Sequence, residues 1–150
     1  MLIISHRGNL EGSDKSRENS IKAIQECITK GLSVEVDLRV HNNKLYLGHD
    51  EPQYEIDEEF LFYNKQWLWI HCKDREALNR ASKIGKLNYF WHDTDDYTMT
   101  SSGYVWAYPG KPSAGSLCIL VMPENYWSPN ELKENNTFGV CTDYPKRYFD

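Results

Sequence analysis

The chain has 150 residues, of which 40% are hydrophobic and 13% aromatic, so it is long enough and apolar enough for one domain, residues 1–150, with a buried core. Its net charge of −5 argues against a sequence-independent nucleic-acid binder, because affinity for the phosphate backbone needs clustered lysine and arginine. We expect no membrane span and a cytoplasmic location, because no run approaches the ~18 apolar residues of a span and the opening MLII is too short for a signal-peptide core.

In chain order, the first half alternates strand and helix. Residues 2–5 predict a first strand, and residues 20–30 predict a helix that ends at Gly31. Residues 33–39 predict a second strand. The following HNNKLYLGHD turns at its two asparagines and predicts a hairpin-like excursion that ends at His49.

The second half predicts further strands with shrinking connections. WLWIHCK is a third strand, and DREALNRASKIG is a helix that Asp74 can cap and Gly85 ends. Strands follow at LNYFWH, GYVWAY, LCILVM and TFGVCT, with a short helix at residues 130–135. These later connections fall to about ten residues, near the lower limit of ~10–12 for a parallel crossover. The pattern predicts an α/β fold with about seven parallel strands, several helices being trimmed or missing.

The second strand, SVEVDLR, has one apolar face and one charged face. Val34, Val36 and Leu38 point to one side, and Glu35 and Asp37 point to the other, because side chains alternate along a strand. An ordinary solvated strand face would explain the two carboxylates. A divalent-cation site would explain them as well, because oxygen ligands two residues apart can converge on a hard cation.

Other polar residues follow the predicted strands at the same end. His6-Arg7 follows the first strand, His49-Asp50 follows the excursion, and Lys73 ends the third strand. The carboxyl ends of parallel strands meet at one rim, where sites form. Arginine and lysine can bind phosphate oxygens, and histidine exchanges protons near neutral pH, so this set of residues favours a phosphodiester site.

These residues also occur in a recognisable order. HRGN, followed by RENSIKAIQECITKGLSVEVDLRVHNNKLYLGHDEP, resembles the glycerophosphodiester phosphodiesterase family of the PLC-like phosphodiesterases. The family's Glu-x-Lys on the third strand aligns with His71-Cys72-Lys73, and GVCTDYP resembles its last strand. The resemblance is continuous over residues 5–52 and loose over residues 86–116.

The resemblance implies a fold, a reaction and a role for each matching residue. The fold is a TIM-type (β/α) barrel, here a reduced one, and the reaction is hydrolysis of a small phosphodiester with one divalent metal ion, Mg²⁺, Mn²⁺, Ca²⁺ or Zn²⁺. By this resemblance the acid/base pair is His6 and His49, the phosphate ligands are Arg7 and Lys73, the metal ligands are Glu35, Asp37 and His71, and the supporting residues are Glu18, Asn19 and Asp50.

Two departures from the family leave alternatives open. His71 stands where the family has a third metal carboxylate, so it is a metal ligand, a core histidine or a substrate contact. The chain is also short, because such barrels run to ~250 residues. An open barrel would favour a homodimer, and reduced loops would allow a different phosphodiester, a phospho-saccharide or a lipid headgroup. The other alternative is a binding protein that holds phosphodiesters without turning them over.

Overall fold

The structure is a computed structural model that describes residues 1–149. Within that range it has ten strands, four α-helices and two 3-10 turns. The strands are β1 (Leu2–His6), β2 (Ser33–His41), β3 (Lys44–Leu47), β4 (Tyr54–Ile56), β5 (Leu68–Cys72), β6 (Asn88–Phe90), β7 (Tyr97–Met99), β8 (Val105–Ala107), β9 (Cys118–Val121) and β10 (Gly139–Thr142). The helices are α1 (Ile21–Thr29), α2 (Glu58–Tyr63), α3 (Arg75–Ile84) and α4 (Pro129–Glu134), and the turns are Pro123–Asn125 and Pro145–Tyr148.

All ten strands of the described range belong to one mixed sheet. β1 lies beside β2 and β10, and the parallel pairing continues outward through β5 to β6 on one side and through β9 to β8 on the other. Three pairs are antiparallel, namely β2–β3, β3–β4 and β7–β8. The sheet therefore combines a parallel centre with antiparallel additions.

The predicted reduced TIM-type barrel of about seven parallel strands is wrong. Across residues 1–149, no strand ladder joins β6 to β7 or β8, so the sheet curls into a half-barrel that stays open. The three antiparallel pairs arise because residues 42–43, 48–53 and 100–104 are too few for a parallel crossover, and the chain can only reverse direction. Asn42 and Asn43 both have positive φ, which a tight hairpin turn between β2 and β3 requires.

The two predicted helices at residues 20–30 and after Asp74 are confirmed as α1 and α3. Ser20 accepts a hydrogen bond from the Ala23 amide and begins α1, and Asp74 accepts one from the Ala77 amide and begins α3. Gly85 ends α3 with a φ of 77°. The short helix α2 and the three-residue strands β4 and β7 were not predicted from the sequence.

Apolar side chains fill both faces of the curled sheet. On one face, α1 and α3 pack over Val34, Val36 and Leu38, which are fully buried. On the other face, aromatic side chains meet, and the rings of Phe90 and Trp106 are 4.6 Å apart. These two rings come from β6 and β8, whose backbones are not paired, so side-chain packing rather than a ladder holds the curl together.

None of the helices in residues 1–149 has the length and apolar character that crossing a bilayer demands. The longest, α3, has ten residues.

A homodimer remains a prediction. The open sheet leaves β4 at one edge, and the large apolar side chains of Met1, Leu117 and Phe149 are exposed. Uncovered edge and apolar surface favour self-association. We expect at least a dimer when light scattering is measured at micromolar concentration, and a monomer under those conditions would contradict this expectation.

Candidate metal and phosphodiester site

The candidate site lies at the carboxyl ends of β1, β2, β5 and β10. Parallel pairing sets His6 opposite Glu35 and Asp37 opposite His71. Glu35 and Asp37 share the sheet face that Val34 and Val36 do not use, as the period of the strand predicted. Both carboxylates are buried, with exposed fractions of 2% and 0%, so the solvated-face explanation is excluded.

Glu35, Asp37 and His71 form a compact cluster of oxygen and nitrogen donors. One donor atom from each residue lies within 4.8 Å of the other two. His71 Nδ1 is 3.7 Å from Glu35 Oε1 and 3.6 Å from Asp37 Oδ1. These distances are too long for good hydrogen bonds, and they leave a space between the three donors.

The hydrogen bond made by His71 Nε2 determines whether Nδ1 of the neutral ring carries a proton or a lone pair. His71 Nε2 lies 2.9 Å from the His92 backbone carbonyl, which can only accept, so Nε2 carries a proton. In the neutral ring, Nδ1 then directs its lone pair at the two carboxylates. Three electron-rich donors facing one another repel, unless Nδ1 is protonated or a cation lies between them. A histidine held through its far nitrogen by a carbonyl is the usual arrangement of a metal ligand.

The cluster holds two buried carboxylates, and the positive charge nearby does not stabilise both of them equally. Although burial raises it, the pKa of Glu35 falls to about 2 because His71, His6 and Arg7 lie nearby. Burial and the charge of Glu35 raise the pKa of Asp37. Asp37 Oδ1 is buried and accepts no hydrogen bond. An additional cation would stabilise both ionised carboxylates and would give this oxygen a partner.

Asn19 and Arg7 hold the other side of Asp37. The Asn19 side chain donates to Asp37 Oδ2 at 2.9 Å and accepts from the Asp37 amide at 2.9 Å. Arg7 Nε lies 3.1 Å from the same oxygen, and Arg7 Nη1 donates to Glu18 Oε2 at 3.3 Å. Arg7 and Asn19 both have a positive φ, a strain that surrounding contacts must offset. Arg7, the predicted phosphate ligand, is therefore already in contact with two carboxylates.

His6 has a carboxylate partner, Asp143, that was not predicted from the sequence. Its Nδ1 is 2.8 Å from Asp143 Oδ1, and its Nε2 is 3.9 Å from Glu35 Oε2. Burial lowers the pKa of His6, but the hydrogen bond to Asp143 and the charge of Glu35 outweigh burial and raise it. The ionised Asp143 can only accept, so it holds the proton on Nδ1 and leaves Nε2 for proton transfer. The sequence signal for this partner was the closing GVCTDYP. Its first four residues form β10, which pairs with β1, and Asp143 follows directly.

Glu18 and Asn9 connect these two halves of the site. Glu18 accepts hydrogen bonds from Asn9, Ser13 and Arg7. Burial raises the pKa of Glu18, but these donors together lower it. The Asn9 amide also donates to Asp143 at 2.8 Å. Glu18 therefore contacts both Arg7 and Asn9, and its supporting role remains a prediction.

His49 and Asp50 lie in the loop after β3. His49 is more exposed than His6, and its Nδ1 is 2.8 Å from Asp50 Oδ1. Its ring borders a cavity of about 300 Å³ that Arg7 also lines, here called the His49 cavity. A Cβ on Gly48 would lie 2.0 Å from the Glu51 carbonyl, so this loop requires glycine there. The structure brings His49 and Arg7 to one cavity, but it shows no contact between His49 and the Glu35–Asp37–His71 cluster.

Lys73 follows β5 directly, and its amide donates to the Leu38 carbonyl, so the β2–β5 ladder extends to it. Continued alternation would place Lys73 on the same face as His71. Across residues 1–149, Lys73 makes no ion pair, and its role toward phosphate remains a prediction.

Comparisons with protein families, curated proteins and solved structures found no match for this chain. The resemblance to phosphodiesterases therefore rests on the order of the motifs. The structure brings seven of the ten predicted site residues into one connected network. These are His6, Arg7, Glu18, Asn19, Glu35, Asp37 and His71.

Proposed function

We propose that this protein is a metal-dependent phosphodiesterase that acts on a small phosphodiester. The observation that carries the proposal is the cluster of Glu35, Asp37 and His71, in which a histidine lone pair and an unpartnered carboxylate oxygen face one another. The His6–Asp143 pair borders the same cluster. Together they combine a cation site with a group that can transfer a proton.

The three donors suit one divalent ion. Two buried carboxylates and one imidazole nitrogen are a mixed donor set that Mn²⁺, Co²⁺ or Zn²⁺ accepts more readily than Ca²⁺ does. When bound, such an ion would supply positive charge to a phosphoryl group. Asn19 keeps Asp37 oriented, and the His92 carbonyl keeps His71 oriented, so the donors are held before binding.

The remaining residues have roles in binding and proton transfer. His6 exchanges a proton at Nε2 while Asp143 keeps its ring in place. His49 lines the adjoining cavity and is the second acid/base group, so that one histidine activates the nucleophile and the other protonates the leaving oxygen. Arg7 and Lys73 offset charge on the phosphoryl oxygens, Arg7 through the guanidinium hydrogens that Asp37 and Glu18 leave free.

The substrate class follows from the motifs and from the cavity. The ordered resemblance to glycerophosphodiester phosphodiesterases supports a glycerophosphodiester. The eight residues that line the His49 cavity are all polar or charged, which favours a hydrophilic headgroup over an acyl chain. The proposal depends on the site and does not require a closed barrel.

A second candidate function is a protein that binds phosphodiesters without turnover. The observation in its favour is that Arg7 contacts both Asp37 and Glu18, while among residues 1–149 the His49 side chain has an ion pair or hydrogen bond only with its neighbour Asp50. A phosphodiester could then be held without a complete acid/base pair. This candidate predicts metal-dependent affinity without product.

Metal titration of the purified protein tests the proposal. After removal of metals with a chelator, we expect added Mn²⁺ to restore hydrolysis of a glycerophosphodiester, followed by ³¹P NMR, and to raise the melting temperature. Ligand at 100 times its Kd stabilises the folded state by about 2.7 kcal/mol. Asp37→Asn should lose both effects, whereas Asp93→Asn, an exposed loop change, should keep them. Metal-induced stabilisation that persists in Asp37→Asn would contradict the proposed site.

A further inference from the structure

A lysine in the His49 cavity has no role in the reaction described above. The cavity is lined by Arg7, Lys15, Glu18, Asn19, His49, Asp50, Glu51 and Gln53. Lys15 belongs to the loop between β1 and α1, and it faces the loop that carries His49. Its side chain is exposed to the solvent of the cavity.

Lys15 differs from the other cation of this cavity in what it contacts. Arg7 is engaged by Asp37 and Glu18. Within residues 1–149, no carboxylate lies within ion-pair distance of Lys15, although Glu18, Asp50 and Glu51 line the same cavity. The charge of Lys15 is therefore available to a ligand that enters the cavity.

Asp14, which precedes Lys15 in the sequence, uses its carboxylate to accept hydrogen bonds from Ser16. Asp14 Oδ1 accepts hydrogen bonds from the Ser16 amide at 3.0 Å and the Ser16 hydroxyl at 2.6 Å. The Asp14 amide donates to Asn9 Oδ1 at 3.1 Å. Asp14 thus stabilises the turn that carries Lys15 and does not neutralise it.

The loop itself is anchored to the residues of the site. Ser13 donates to Glu18 at 2.7 Å, and the Gly12 amide donates to the Asp143 carbonyl at 2.8 Å. Asn9 bridges Glu18 and Asp143. Lys15 therefore extends from a segment that is fixed relative to His6, so that little backbone ordering remains to be lost when it binds a ligand.

We infer that Lys15 binds an anionic oxygen of the substrate in the His49 cavity and so contributes to substrate affinity. This inference rests on the proposed function, because it takes the ligand to be a phosphodiester. The anionic oxygen has two possible sources, the phosphoryl group itself or a carboxylate on the headgroup. A flexible ammonium at the cavity wall suits either source as a point charge.

The test compares Lys15→Gln with Lys15→Arg and with Lys22→Gln, which changes an exposed lysine of α1 outside the cavity. Substrates are glycerophosphoserine, which has a carboxylate, and glycerophosphoethanolamine, which has none. We expect Lys15→Gln to raise KM by about fivefold with kcat unchanged, in line with a solvent-exposed ion pair. Lys15→Arg should retain the wild-type KM.

The pattern across substrates identifies the source of the oxygen. A higher KM for both substrates assigns the contact to the phosphoryl group, and a higher KM for glycerophosphoserine alone assigns it to the carboxylate. Equal KM values in Lys15→Gln and Lys22→Gln for both substrates would overturn the inference.

A binding measurement separates this inference from the proposed function. Affinity for glycerol 3-phosphate in the presence of Zn²⁺ is measured by NMR titration for the wild type and the Lys15 variants, with no turnover required. If the wild type has no hydrolase activity but Lys15→Gln weakens this binding, the proposed function fails and the inference stands. If the wild type hydrolyses substrate and Lys15→Gln changes neither binding nor KM, only the inference fails.

Discussion

Replacing His6 with alanine is expected to lower turnover by about 10²-fold or more, with little change in folding. Proton transfer by a positioned side chain contributes about that much, and the alanine removes the imidazole that lies beside Glu35. The folding cost is expected to be small because Asp143 keeps its hydrogen bond from Asn9. Steady-state kinetics with a glycerophosphodiester, together with a thermal melt, measure both quantities.

Three further variants make the result specific. His49→Ala should show a loss of similar size if the two histidines act as a pair. His41→Ala changes an exposed histidine at the end of β2 and should leave turnover unchanged. Asp143→Asn keeps the shape of the partner of His6 but removes its charge, and it should fall between wild type and His6→Ala. A near-normal rate in His6→Ala or in His49→Ala would exclude the two-histidine mechanism.

Replacing His71 with glutamate is expected to change which metal ions support activity. The wild type should prefer Mn²⁺, Co²⁺ or Zn²⁺ to Ca²⁺, because imidazole is a neutral nitrogen donor that hard cations bind weakly. His71→Glu adds a negative charge and a third carboxylate, as in the phosphodiesterase family that the motifs resemble, so activity with Mg²⁺ or Ca²⁺ should rise, by roughly tenfold if the effect resembles other changes around metal sites. Parallel metal titrations of the two proteins provide the measurement.

The His71 change also removes interactions that do not involve a metal. His71 stacks on Phe90 and donates to the His92 carbonyl, and glutamate does neither. His71→Gln is therefore the matched control, since it also loses the stack on Phe90 but adds no charge. If wild type already prefers Ca²⁺, and His71→Glu changes neither affinity nor rate, His71 is not a metal ligand.

The amino-acid sequence by itself determined the local features of this protein. The alternation in SVEVDLR predicted that Glu35 and Asp37 share one face, and the structure has both carboxylates buried there. The spacing of residues 20–30 predicted α1, and Asp74 predicted the beginning of α3. These features are predictable because side-chain period and helix capping involve residues that are close in the chain. The order of the motifs likewise indicated which strand ends carry the candidate site.

Only the tertiary structure decided how these pieces combine. Whether the sheet closes depends on pairing between distant segments, and the short, partly polar β7 offered no signal that it would reverse against β8 and leave the half-barrel open. The partners of the site residues were also undetermined. Asp143 reaches His6 across 137 positions, and the His92 carbonyl sets the proton on His71. Local sequence patterns cannot encode such choices, because a side chain selects its partner by proximity and burial, which exist only once the chain has folded.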